Sequence, residues 1–352
     1  MCEHVFVRWQ NQSIEHERKA ALPGFKEPAV VRSFDAPEAI GTRFYEIRAR
    51  SAINKVPERS RMPFRYTINP YRGCAHACAY CFARPTHTYL DFNAREDFDR
   101  EIVVKVNVPE VVRAELARPS WQGDHVALGT NTDPYQWVEG RYRLMEGIWE
   151  AMRDFANPCS VLTKSPLLLR DIELLKQLVE VTDFTANLSV PTLDEKAWRE
   201  TEPHTPHPRK RLEAAAELNR AGIPTGVLIA PLMPGINDAP EQVEEILELA
   251  GEAGARTIGG VGLHLRGQVR EIWFDWLRQY RPDLVPRYEG LYARGAYLPR
   301  PEQKRLSRMA RRGRGVSGAR GMRDEASKPD TTGGGHGPAG PRRRGQTSLF
   351  DA

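Results

Sequence analysis

Short runs of Val, Leu and Ile alternate along the middle of the chain with longer segments whose apolar residues recur at helical spacing. Tyr66–Asn69 has strand character, and further strands are expected at Asp124–Thr130, Cys159–Lys164, Phe184–Val190, Pro224–Pro231 and Thr257–Leu265. Glu101–Asn107 (EIVVKVN) reads as an additional strand. Between them lie helical stretches: PEVVRAELA opened by Pro109, then Arg141–Phe155, Pro166–Val181, Pro208–Gly222, Ala239–Gly254 and Val269–Tyr280. The strands are apolar on both faces, and each is separated from the next by a helix. That pattern predicts a parallel sheet covered by helices. Six strand–helix units can be counted if the loop after Tyr66–Asn69 completes the first. Eight would close a barrel; six leave it open, so the expected class is α/β, a partial (β/α)6 TIM-type barrel.

Outside this rhythm the pattern is poor. Residues 1–60 read as an N-terminal extension, with Phe44–Ile53 as a strand or short helix. Residues 61–300 form the expected core, and residues 301–352 a tail. After Ser307 apolar residues nearly vanish, and Met309–Arg344 is too poor in them to offset its ordering entropy, so disorder is expected there. Charge sharpens the division. The 352-residue chain carries +5, but twelve Lys and Arg against five Asp and Glu give the tail +7, which leaves −2 for residues 1–300. A near-neutral body with a basic tail points to a separate interaction segment. No apolar run approaches the roughly 20 residues of a membrane span, and the N-terminus is neither basic nor continuously apolar. A soluble cytoplasmic protein is expected.

Three of the five cysteines, Cys74, Cys78 and Cys81, fall within Asn69–Arg84, NPYRGCAHACAYCFAR. Thiolates at Cys-x3-Cys-x2-Cys spacing can converge on one metal centre. A structural zinc site wants four protein ligands, and His76 or His87 would supply the fourth. A cubane iron–sulfur cluster takes one ligand per iron, so three cysteines leave one iron open to a substrate or cofactor. A disulfide framework is disfavoured by the odd number of cysteines; Cys2 and Cys159 read as ordinary thiols.

Barrels of this type place their chemistry at the C-terminal ends of strands. There the chain carries the cysteine loop, then Gly129–Gln136 (GTNTDPYQ), Thr163-Lys164-Ser165, Ser189–Asp194 (SVPTLD), Pro231–Asp238 (PLMPGIND) and His264-Leu265-Arg266. Turns favour Asn, Asp, Gly and Pro anyway, but six polar strand ends on one rim predict a shared active-site face.

The cysteine stretch, with Gly73 before it, Tyr80 inside it and Phe82-Ala83-Arg84 after it, resembles the radical S-adenosylmethionine (radical SAM) superfamily. The strand-end stretches, Arg170-Asp171, and Glu202-Pro203 followed by Arg211-Leu212 are similar to its spore photoproduct lyase-like, or DNA repair photolyase-like, branch. The resemblance runs from about Arg65 to Tyr280, and the Gly-Gly-Glu stretch of the wider superfamily is replaced by Gly129–Asp133. It implies a [4Fe–4S] cluster on Cys74, Cys78 and Cys81, with S-adenosylmethionine on the fourth iron. It further implies Tyr80 against the adenine, Thr130, Asn131, Thr132 and Asp133 near the methionine amino group, Ser189 near the ribose and Arg211 on the carboxylate. Lys164 and His264 are assigned to the substrate side as catalytic candidates; a Lys164 pair with Asp133, and a solvated Arg211, are the plainer alternatives. The implied reaction is reductive cleavage of S-adenosylmethionine to a 5′-deoxyadenosyl radical that abstracts hydrogen, fed by an electron donor such as flavodoxin or ferredoxin. The branch name suggests a nucleic-acid substrate, though a shared fold does not decide one. A different class, a non-catalytic, metal-stabilised nucleic-acid-binding protein, would suit the basic tail and a zinc reading of the cysteines. The chain ends Gln346-Thr347-Ser348-Leu349-Phe350-Asp351-Ala352. Its Gln346, Leu349 and Phe350 resemble the motif by which bacterial polymerases and repair proteins dock on the DNA sliding clamp.

Overall fold

A computed structural model of the chain describes Glu3–His4 and residues 30–34, 39, 41–58, 60 and 62–310. Its strands are β1 (Glu3–His4), β2 (Val30–Arg32), β3 (Arg43–Ile47), β4 (Ile53–Lys55), β5 (Tyr66–Ile68), β6 (Tyr71–Arg72), β7 (Glu101–Lys105), β8 (Val126–Leu128), β9 (Cys159–Thr163), β10 (Phe184–Ser189), β11 (Thr225–Leu232) and β12 (Ile258–Gly262). The main sheet has the order β12-β11-β10-β9-β8-β5-β4. Its six strands from β5 to β12 are parallel, and β4 adds antiparallel to β5 at one edge. The sheet is open, as the unit count predicts: among the described residues β4 and β12 are its two ends.

Helices cover the sheet because their apolar positions fall on one face. Leu144–Asp154 buries Leu144, Met145, Ile148, Trp149, Ala151 and Met152, and Trp149 meets Phe184 of β10 edge-on at 5.4 Å. Each of the Leu, Ile and Met side chains contributes about 1.5–3 kcal/mol of burial. The expected helix Arg141–Phe155 is interrupted. Arg143 turns left-handed at φ 51° between Glu139–Tyr142 and Leu144–Asp154. The buried Glu139 carboxylate explains the break, since it accepts from the freed N–H groups of Leu144 (3.1 Å) and Met145 (3.0 Å). Pro166–Val181 likewise divides into a 3₁₀ turn, Pro166–Asp171, and the helix Ile172–Val181.

A second sheet, β1-β2-β3-β7-β6, was not legible as such. It takes β2 and β3 from the N-terminal extension, pairs β3 parallel with β7, and adds the two residues of β6 antiparallel to β7. The chain therefore passes from the main sheet at β5 to the second sheet at β6 just before the cysteines.

The C-terminal boundary also moves. Residues 301–310, grouped by composition with the tail, belong to the helix Arg300–Met309 and its cap, with Leu306 and Ala310 buried against β12. A Cβ on Gly260 of β12 would lie 2.4 Å from Ala310 Cβ, so the glycine makes that approach feasible. The rest of the expected disordered tail, with Gln346, Leu349 and Phe350, lies outside the described residues. No helix among the described residues is long and apolar enough to cross a membrane.

Gly129, at the end of β8, has φ +77°, and a Cβ there would sit 1.8 Å from the carbonyl oxygen of Leu162. Gly129→Ala should therefore destabilise the protein by at least about 2 kcal/mol. Urea denaturation would show it, and an unchanged midpoint would rule out the close β8–β9 approach.

Candidate active site

Gly73, with φ +80°, starts the cysteine loop; a Cβ on it would come within 2.9 Å of Phe98 O and of Ile102. The loop has little regular structure, so its backbone is met from outside. Cys74 N–H donates to Phe98 O (2.9 Å) and Ala79 N–H to Thr201 O (3.0 Å). Buried Gln136 brackets the entry, accepting from Ala75 N–H (3.0 Å) and donating to Gly73 O (3.2 Å). Buried Arg84 donates to Cys78 O (3.0 Å) and ion-pairs with Asp99 (2.9 Å).

The three thiols line one cavity of about 270 Å³ at the C-terminal rim of the sheet. None is in a disulfide. Burial drives the Cys78 pKa far up, with Glu202 and the other two thiols adding to it; burial and Cys74 push Cys81 up to about 11. Three thiols lining one cavity, two of them held above the ordinary thiol value, fit a cationic metal centre, which would take them as thiolates. The donor set is thus compatible with a cluster.

Tyr80 and Lys164 of the cavity lining belong to a charged network centred on Glu202, which is fully buried. Its carboxylate accepts from Tyr80 OH and from Arg211 Nη2 (2.7 Å), with Lys164 Nζ 3.7 Å away. Burial alone would raise the Glu202 pKa, but Arg211 and Lys164 hold it below the usual carboxylate value. Burial alone would lower the Lys164 pKa, but Glu202 and Cys78 keep it above the ordinary lysine value, so the ammonium stays charged. Its Nζ donates to Ser189 Oγ (3.0 Å) and lies 5.8 Å from the Tyr80 ring centre. Two cations against one carboxylate leave a single positive charge beside the thiols.

Asp133 braces the rim. It accepts from Thr163 Oγ1 (2.6 Å), Tyr135 N–H (2.9 Å) and Lys164 N–H (2.7 Å), and faces His76 Nδ1 at 3.4 Å. Against the burial that would raise it, His76 and these donors bring Asp133 down to about 2. Burial lowers the His76 pKa, yet Cys74 and Asp133 carry it up to about 10.

Cys74, Cys78, Cys81, Tyr80, Thr130, Asn131, Asp133, Lys164, Ser189 and His264 all line the cavity. Thr130 and Asn131 make no side-chain hydrogen bond among the described residues and are free to meet a ligand. Two expected residues are placed otherwise. Thr132 is buried and donates to Tyr71 O (3.0 Å), tying the β8 loop to the second sheet. Arg211 is neither solvated nor free for a ligand carboxylate. Its guanidinium donates to Pro206 O, Ser189 O, Thr205 and Glu202, so it is a buried brace. The Lys164 partner is Glu202 at 3.7 Å rather than Asp133. Sequence reasoning noted Glu202-Pro203 without giving the acid a role, because it ends an unforeseen helix, Glu195–Thr201, and its partners are distant in the chain.

The radical SAM superfamily model matches residues 68–263, more than half of the chain. The chain belongs to the radical SAM superfamily. It is similar to an uncharacterized protein of Mycobacterium tuberculosis, 46% identical over 297 residues that cover 83% of this chain and 87% of that one. An uncharacterized protein of Methanocaldococcus jannaschii is 28% identical over 195 residues, 55% of this chain and 69% of that one. Among solved structures, a spore photoproduct lyase variant with bound AdoMet and dinucleoside spore photoproduct superposes with TM-score 0.54 at 18% identity, covering 76% of this chain and 77% of that chain. Another variant of that lyase gives TM-score 0.55 at 17% identity, covering 77% and 78%. The likeness confirms the expected fold. This chain is a radical SAM enzyme; the superfamily implies S-adenosylmethionine, an iron–sulfur cluster and an electron donor.

Removing the Glu202 carboxylate would strand Arg211 and Lys164. Glu202→Ala should cost about 3–5 kcal/mol. A melting temperature within a degree or two of the parent would show that the buried charges have another partner.

Proposed function

We propose that Cys74, Cys78 and Cys81 hold a [4Fe–4S] cluster in this cavity, that S-adenosylmethionine binds beside it, and that the substrate presents a nucleobase. The observation that carries the reading is the meeting, in one 270 Å³ cavity, of three unpaired thiols, a charged Lys164 and the free side chains of Thr130 and Asn131. When bound, the cluster and cofactor together supply a 5′-deoxyadenosyl radical that takes a hydrogen atom from the substrate.

The chain's own residues bind and orient. A closed structural zinc site wants a fourth protein ligand, whereas three cysteines on a cubane would leave one iron open to the cofactor. Lys164 takes over the role first assigned to Arg211: its ammonium faces the cavity and offers charge to the cofactor carboxylate, with Ser189 beside it. Glu202 fixes Tyr80 and Lys164 in orientation. Asp133, committed to protein donors, acts as a positioning residue, and Thr130 and Asn131 are left to meet the cofactor's amino group. His264, at the cavity edge, stands on the substrate side. A nucleobase-bearing substrate is supported by the dinucleoside bound to the structural neighbour and by the +7 tail.

Anaerobically purified protein should carry about four iron and four sulfide per chain. Cys74→Ala, Cys78→Ala and Cys81→Ala should each abolish the brown absorbance. Cys159→Ala should not, since Cys159 opens β9 at the opposite end of that strand from the rim. Lys164→Met should keep the iron and weaken S-adenosylmethionine binding at least tenfold by calorimetry. One zinc with no sulfide, or iron that survives Cys78→Ala, would overturn the assignment.

A further inference from the structure

Three aromatic rings from separate parts of the chain form a row that leads out of the cavity. Phe82, next to Cys81, lies 5.7 Å from His264, ring centre to ring centre. His264 stacks on Tyr297 at 5.8 Å with the planes 24° apart. The outer ring is positioned by backbone: His264 and Tyr297 form an antiparallel bridge, and Leu265 N–H donates to Ala296 O at 2.7 Å. Phe82 and His264 line the cavity, whereas Tyr297 stands outside it. The ends of the row are open to solvent, Phe82 by 49% and Tyr297 by 56%.

Single exposed apolar side chains are ordinary, but a row of neighbouring rings ending at a cavity offers a binding surface. Burial and the nearby Arg266 lower the His264 pKa, so its ring stays neutral and presents an aromatic face. Cations are near neighbours of the row in sequence. Arg266 is two residues from His264, and Arg294 and Arg300 lie three residues to either side of Tyr297. All three are exposed, and none makes an ion pair or side-chain hydrogen bond among the described residues. Arg305, on the neighbouring helix, is by contrast committed to Asp238 and Glu302, which also neutralises that glutamate. Flat rings beside unpaired guanidinium groups complement a ligand that is itself a row of flat rings on an anionic backbone.

We propose that Phe82, His264 and Tyr297 are a stacking platform for unpaired bases of a nucleic-acid strand, with Arg266, Arg294 and Arg300 meeting its phosphates. The platform would deliver one extruded base to the cavity mouth. The proposal rests on the nucleobase-substrate reading above and adds where the strand lies.

The test uses the full-length, cluster-bearing protein and two fluorescent single strands of equal length and charge, an oligoadenylate and the same strand with abasic sites at its centre. Contacts to phosphate alone, those of the basic tail included, bind the two equally. By anisotropy the parent protein should prefer the base-bearing strand by roughly tenfold or more. Tyr297→Ala should cut that preference severalfold without changing affinity for the abasic strand or the cluster absorbance, and Tyr297→Trp should retain it. Arg266→Gln with Arg300→Gln should weaken both strands and lower the salt slope by roughly 0.7 per arginine removed. Equal binding of the two strands by the parent, or a preference untouched by Tyr297→Ala, would overturn the platform while leaving a nucleic-acid substrate standing. Binding of neither strand would overturn both. A preference lost equally in Tyr297→Ala and Tyr297→Trp would show that the ring acts through local folding and not by stacking.

Discussion

The backbone from Gly73 to Ala83 runs through the interior with neither a strand ladder nor an α-helix, so its buried polar groups depend on partners elsewhere. Each buried group left without one would cost about 1–3 kcal/mol. Those partners come from Phe98 in the short helix Glu96–Arg100 before β7, the β8 loop at Gln136, the helix ending at Thr201, and the side chain of Arg84. The loop is therefore a junction: it is in place only when both sheets and the helix after β10 are in place around it. The Gly129–Gln136 stretch acts here chiefly as a clamp. Thr132, Asp133 and Gln136 each tie a different point of the cysteine segment or the strand before it, which leaves Thr130 and Asn131 to face the cavity.

Charge is arranged around the same junction. Burial raises the Cys78 and Cys81 thiols above their ordinary value, and the network around Glu202 holds two cations on one carboxylate. Both would be relieved by the pair of guests proposed above, a cationic metal centre on the thiols and an anionic group beside Lys164. Without such guests, burial of these groups is a cost with no return in packing, because buried ion pairs rarely stabilise a fold. Their placement at the strand ends is thus better explained by binding than by folding.

The open edge of the sheet gives the cavity its mouth. β4 and β12 are the two ends of the strand order, and the segments beside them supply Met62, Phe64, Val261 and His264 to the cavity lining. A closed barrel would have filled this gap with two more strands. Just beyond β12, His264 bridges to Tyr297, so the rim continues outward as the aromatic row.

Hydrophobic periodicity was sufficient for the six parallel strands and their covering helices, because strands buried on both faces and helices buried on one carry their environment in their own residues. The same holds for Cys74, Cys78 and Cys81, whose spacing is local and whose chemistry is particular to thiols. Periodicity did not reveal the second sheet, since β6 is two residues long and β3 pairs with β7 across more than fifty residues. Nor did composition show that Arg300–Met309 packs on β12, because its charged residues conceal a face that buries little more than Leu306. The partners of Arg211, Lys164 and Glu202 were decided by tertiary structure alone. A charged side chain in sequence carries no mark of which opposite charge it will meet, and that pairing is set by which strand ends the fold brings within a few ångströms.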